Sequence, residues 1–192
     1  MKNNYAVLLG IVLSGCGADV SQVSAGSGAW HTGVSPTQPS DWTLDPVSGS
    51  FGLLEVGISK QKVISLDLPM KWRGEEQEGV TYEVVTVNAP GDITIECVLS
   101  DNIVYRCSSE SQRLRDPAGM GVGSSLRELK KAYPQGRLLV TYENGKNANF
   151  VLGGRMMFSM DVRLVNDECF ELEQCVFDED ALRAVRVVIN DV

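Results

Sequence analysis

Histidine occurs once in the 192 residues, at His31, and this limits the chemistry open to the chain. Nucleophilic catalysis of the Ser/His/Asp or Cys/His type needs an imidazole within reach of the nucleophile, and none follows position 31. A carboxylate pair can hydrolyse glycosides without histidine, and Glu75, Glu76, Glu78 and Glu83 are available. However, 73–79 reads as a polar, solvated loop, whereas catalytic carboxylates need a partly buried cleft to drive their pKa values apart. Gly119, Gly121 and Gly123 fall short of a dinucleotide-binding fingerprint, because Ser124 stands where the third glycine belongs and no strand precedes the segment. Residues 167–180 hold seven acids and no Lys or Arg, without the D-x-D-x-D-G spacing of a calcium loop. That run reads as a solvated face with Glu171 and Glu173 as candidate contacts for a basic partner. The chain is therefore expected to be non-enzymatic, with no metal and no cofactor.

Cysteine chemistry is more specific. Residues 1–5 are polar with one cation, Lys2, and 6–13 form an apolar run of signal-peptide length. The run ends in Leu13-Ser14-Gly15-Cys16, which resembles the bacterial lipobox, where cleavage before the cysteine leaves it as the acylated first residue of the mature chain. Five cysteines are an odd number for an exported protein, and lipidation of Cys16 leaves four. Two or three acyl chains exceed the two signals that stable anchoring requires. Gly17 in place of Asp implies, by resemblance to Gram-negative sorting, delivery to the periplasmic face of the outer membrane if the source is Gram-negative; otherwise the expectation is a cell-membrane lipoprotein. No run of about 18 apolar residues exists, so no spanning helix is expected. The net charge of −8 argues against a nucleic-acid partner.

Cys97 and Cys107 face one another if a hairpin turns over Asp101-Asn102-Ile103, a register that also places Ile95, Leu99 and Tyr105 on the face of the bridge. Cys169 and Cys175 would close a short loop within the acidic run. Three connectivities exist for four cysteines, and spacing alone selects none. Neither spacing is C-x-x-C, and an exported context favours oxidation over zinc.

The elements that must carry these residues follow. Residues 1–15 form the signal peptide, and 16–50 the lipidated cysteine and a flexible tether rich in Gly, Ser, Pro and Thr. His31 lies in that tether without a rigid surround, and Trp30 and Trp42 are candidates for membrane contact or for docking on the domain. The globular part is expected over 51–192, in halves of about 51–115 and 116–192. Two stretches 66 residues apart, Val56-Gly57-Ile58-Ser59 and Val122-Gly123-Ser124-Ser125, each set a glycine two residues before a helix-capping serine. In the second, Ser125 and Glu128 form a capping box; in the first, Lys62 replaces the glutamate. Behind each helix come strand-like runs: 81–88, 93–99 and 103–108, then 137–142, 149–152, 156–165 and 184–190. Met156, Met157, Phe158 and Met160 read as buried strand residues. Trp72 and Arg73, in Met70-Lys71-Trp72-Arg73-Gly74, have the composition of an interface anchor, with core packing the other reading of Trp72.

The lipobox, the glycine-serine-helix elements and the meanders together are similar to small proteobacterial lipoproteins of uncharacterised function. The glycine-serine-helix element also resembles that of the β-lactamase inhibitory protein and of BamE-type assembly lipoproteins, although the latter carry one copy and this chain carries two. The resemblance implies an α+β fold with helices packed on one face of an antiparallel sheet, and binding rather than catalysis. The expected function is a lipid-anchored periplasmic interaction module, held to the membrane through Cys16, with the sheet face or the acidic loop meeting an envelope protein. Inhibition of, or immunity to, an exported hydrolase is the alternative.

Overall fold

The computed structural model describes residues 42–142, 145–172 and 175–191. The signal-peptide, Cys16, Trp30 and His31 expectations lie outside those residues. Among the described residues the packed region already takes in Trp42 and Leu44, ahead of Phe51. Trp42, Leu44 and Phe51 are buried, and a small three-stranded sheet runs through β1 (Leu44–Asp45), β2 (Ser50–Phe51) and β3 (Leu54–Glu55). Composition hid this boundary because each of these strands is two residues long and sits among Pro, Gly and Ser.

The remaining strands form one eight-stranded antiparallel sheet: β4 (Met70–Gln77), β5 (Val80–Ala89), β6 (Ile93–Ser100), β7 (Ile103–Ser109), β8 (Arg137–Tyr142), β9 (Lys146–Val151), β10 (Met156–Met160) and β11 (Ala184–Asn190). Their order is β4-β5-β6-β7-β11-β10-β9-β8. Each half contributes a four-stranded meander, and the last strands of the two halves, β7 and β11, pair at the centre, so the two meanders share one sheet.

The helices are few and short: α1 (Lys60–Ile64), α2 (Leu126–Ala132) and α3 (Asp167–Leu172). At five to seven residues they are too short to hold themselves together without tertiary packing. The expected α+β class thus gives way to a mainly β molecule. Helices contribute Val63, Leu126, Leu129 and Cys169 to a core that also takes Trp42, Leu44, Phe51 and Leu54 from the small sheet and Leu114 and Leu182 from loops.

The repeated motif recurs as repeated geometry. Gly57 and Gly123 have φ of +93° and +92°, a region that glycine enters without steric cost. Ser59 and Ser125 cap α1 and α2 in closely matching extended conformations. Gly57 N–H donates to Val104 and Lys60 N–H to Asn102; in the second half Gly123 N–H donates to Ala184 and Leu126 N–H to Leu182. Each helix start is therefore tied to the beginning of the last strand of its own meander. Ser125 Oγ accepts from Glu128 N–H at 3.3 Å and the Glu128 carboxylate accepts from Ser125 N–H at 2.8 Å, completing the capping box.

Two local expectations change. Residues 73–79 are not a loop: they form most of β4 and a two-residue Glu78-Gly79 turn with both φ positive. A charged edge strand shows no apolar alternation, and charges are what an edge carries to deter further pairing. In the β6–β7 hairpin Cys97 does oppose Cys107, but the turn is the two-residue Asp101-Asn102 and the register slips at Val98/Leu99. Leu99 therefore pairs with Val104, which is fully buried, while Tyr105 leaves the core and packs on Tyr82 at 5.7 Å between ring centroids.

Candidate functional site

Alternation along the strands gives the large sheet two faces. Val85, Cys97, Cys107, Ile189 and Met156 follow one another across five strands on the core face. Their neighbours in sequence project the other way, and this second face contributes nothing to the core cluster. At its centre Val84, Val98 and Val188 are nonetheless buried. Around them stand Arg106, Ser108, Asn147, Asn149, Met157, Ser159, Arg186 and Asn190, and residues from β6, β7, β9, β10 and β11 line one groove of about 250 Å³. Side chains four strands apart, from β6 to β9, share this single groove.

Most charges on this face are engaged. Arg73, on β4, reaches across β5 to the Glu96 carboxylate at 2.9 Å and to Glu75 at 3.4 Å; Glu96 holds its guanidinium above the usual arginine range. Arg186 is paired with Glu110 beyond the groove. Ser159 donates to Asn149 Oδ1 at 2.9 Å. Arg106 makes no ion pair or side-chain hydrogen bond among the described residues, and its guanidinium lies 5.7 Å from the Tyr105 ring centroid. The shape and chemistry suit a polar protein surface with a small apolar floor.

The sequence-derived contacts fall elsewhere or apart. Trp72 and Arg73 are adjacent on β4 and point to opposite faces. Trp72 packs against the core with the Lys60 ammonium 4.9 Å from its ring centroid, while Arg73 lies on the second face. One contact cannot use both. Glu173 lies outside the described residues; Glu171 is in α3. The acidic run meets cations of its own chain, because Arg127 bonds Asp180 and Lys130 bonds Glu179 at 2.6 Å each, and Lys146 pairs with Asp167. Asp180 in turn raises the Arg127 guanidinium. These exposed pairs contribute little stability, but they engage Asp180 and Glu179 with helix α2 and Asp167 with β9, and leave less charge for a basic partner.

Both disulfides form, Cys97–Cys107 between paired strands inside the core and Cys169–Cys175 at the end of α3. Among the described residues no group of three or more His, Cys, Asp or Glu is placed to hold a metal, and no helix is long and apolar enough to cross a membrane. One carboxylate is well buried: Asp116 accepts the N–H groups of Ala118 and Met120 on Oδ1 at 2.8 Å each and the Tyr133 hydroxyl on Oδ2. Burial pushes it above the ordinary aspartate value, against the pull of those N–H donors. With every partner taken by the loop it closes, Asp116 is a structural group.

The groove residues went unnoticed in the sequence although each was on view. Arg106 sits one place before Cys107, and Arg186, Val188 and Asn190 alternate with Val187 and Ile189. The alternation marks them as facing away from the core. Only the strand order, with β11 inserted between β7 and β10, brings them together.

No protein-family model matches the chain, and no curated protein does. Among solved structures it is similar to the uncharacterised protein YfeY from Escherichia coli, at a TM-score of 0.53 and 8% identity, covering 78% of this chain and 98% of that one. The likeness is one of fold: the chain shares its architecture with a small bacterial protein of uncharacterised function.

Proposed function

We propose that this chain is a non-enzymatic, lipid-anchored periplasmic module whose uncovered sheet face binds an envelope protein. The observation that carries the reading is that face itself: a grooved surface with buried valines at its floor and polar side chains around them, left outside the core cluster. An eight-stranded antiparallel sheet with one solvent-facing side is usual; what supports the reading is that residues of five strands line one groove on that side, which offers a partner a shaped surface. The Cys16 lipid would hold the module at the membrane, the tether ending where Trp42 enters the core. Within this reading the fold is the tandem helix-plus-meander arrangement of the β-lactamase inhibitory protein, its helices on the core side, rather than the single-copy BamE type; the repeated glycine-serine docking geometry supports that choice. Inhibition of, or immunity to, an exported hydrolase is the specific form of binding that this arrangement favours second.

The test is a pull-down from detergent-solubilised envelope with the full-length protein. Met157→Arg, at the partly exposed centre of the groove, is expected to remove the enriched protein, and Leu53→Arg, on an exposed loop residue away from the sheet, to retain it. Equal recovery by both variants would contradict the reading.

A further inference from the structure

We infer that the groove receives a carboxylate, and specifically an aspartate or glutamate side chain of the bound protein, held by Arg106 and Asn190. The inference rests on the reading of the sheet face as a protein-binding surface and names the chemistry of the partner.

Arg106 and Asn190 stand directly opposite one another on β7 and β11. Both are partly buried, and both line the groove. Neither side chain makes a hydrogen bond or ion pair among the described residues. That sets Arg106 apart from Arg73, held by Glu96, and Arg186, held by Glu110; Arg137, which the register also puts on this face, is exposed on edge strand β8 and does not line the groove. The one carboxylate lining the groove, Glu96, is thereby drawn toward β4 and away from Arg106. What remains is a planar five-donor fork with an amide donor beside it and the Ser108 hydroxyl on the same strand. A guanidinium in this setting matches a carboxylate through two parallel hydrogen bonds. A chain of net charge −8 thus presents an unpaired cation within its groove, the reverse of its overall field.

The dimensions suit one protruding side chain rather than an enclosed drug-sized ligand. A groove of about 250 Å³ is below the roughly 300–1,000 Å³ of sites that enclose small ligands, and it opens along the sheet. It has room for one protruding acidic residue, whose methylene groups would rest on Val98 and Val188 while its carboxylate meets Arg106 and Asn190.

The test uses the full-length protein and two probes. In NMR titrations the Arg106 side-chain N–H resonances are expected to shift with N-acetyl-glutamate N-methylamide and not with the uncharged glutamine analogue; equal shifts with both, or none with either, would overturn the inference. In the envelope pull-down, Arg106→Gln is expected to lower recovery of the partner about tenfold or more, the loss of one charge-assisted pair, with Arg106→Lys restoring part of it. Circular dichroism confirms that both variants are folded. If Met157→Arg abolishes capture while Arg106→Gln leaves it unchanged, the binding face stands and the carboxylate inference falls. If neither affects capture, the reading of the face falls with it.

Discussion

Asp116 shows how a single buried side chain sets a pH dependence. Burial raises its folded-state pKa above the ordinary 3.8, so the folded chain keeps a proton that the unfolded chain releases. Its contribution to stability is complete below the ordinary value and declines as pH rises through the raised one. Glu128 and Asp45 behave in the opposite sense. Backbone N–H donors, of Ser125 for Glu128 and of Val47 for Asp45, hold them below their ordinary values. Their contributions are present above those values and are lost as pH falls through the lowered ones. In Asp116→Asn the amide oxygen can keep both backbone N–H bonds, and the amide nitrogen can donate to the Tyr133 hydroxyl. Urea unfolding between about pH 3 and 7 is expected to show the wild type losing stability relative to this variant as pH rises; a difference independent of pH would refute the assignment.

The same scale shows what one chain of letters can and cannot disclose. The Cys97–Cys107 pairing was legible, because two cysteines at facing positions of an alternating hairpin share a face. The place of the extra residue was not: a three-residue turn and a two-residue turn with a bulge give the same cysteine register, and they differ only in whether Val104 or Tyr105 enters the core. Replacing both Cys97 and Cys107 by Ala is expected to cost about 2–4 kcal/mol of unfolding free energy in denaturant titrations. A loss below half of that lower bound would mean that strand pairing holds the hairpin unaided.

At the scale of elements, the two glycine-serine-helix units are the most informative feature. Helix starts were readable from Ser59, Ser125 and Glu128, because caps are local chemistry. The docking of each unit on its own last strand was not, since those bonds join residues 42 to 61 positions apart. Gly57 and Gly123 share a positive φ, and an added Cβ would meet no atom at either. Gly57→Ala and Gly123→Ala are therefore expected to cost similar amounts, about 1–2 kcal/mol each, from backbone strain alone. Gly136→Ala differs in kind: its Cβ would lie 2.4 Å from the buried Phe150 ring, and overpacking there is expected to cost about 1–3 kcal/mol. Thermal unfolding of the three variants measures this; a silent Gly136→Ala, or unequal costs for Gly57 and Gly123, would contradict it. Edge strand β4 was misread for a related reason, as its Lys, Arg and Glu residues carry no apolar alternation.

For the whole molecule, strand order builds the groove. Each meander was legible in outline, but the pairing of β7 with β11 is a long-range event that no local pattern encodes. That pairing joins two halves into one sheet and turns outward-facing residues of five strands into a groove. It also explains why the contacts first suggested by composition dissolve: Trp72 turns to the core, Arg73 to Glu96, and part of the acidic run to Arg127, Lys130 and Lys146. Intact mass spectrometry of the membrane fraction addresses the anchor separately, by whether the mature chain begins at an acylated Cys16.

The central claim concerns the uncovered face, and site-specific photo-crosslinking in intact cells tests it most directly. A photoreactive phenylalanine analogue replacing Met157, in the groove, is expected to yield a discrete protein adduct, and the same analogue at Leu53, away from the sheet, to yield none. No adduct from position 157, or the same adducts from both positions, would contradict the account.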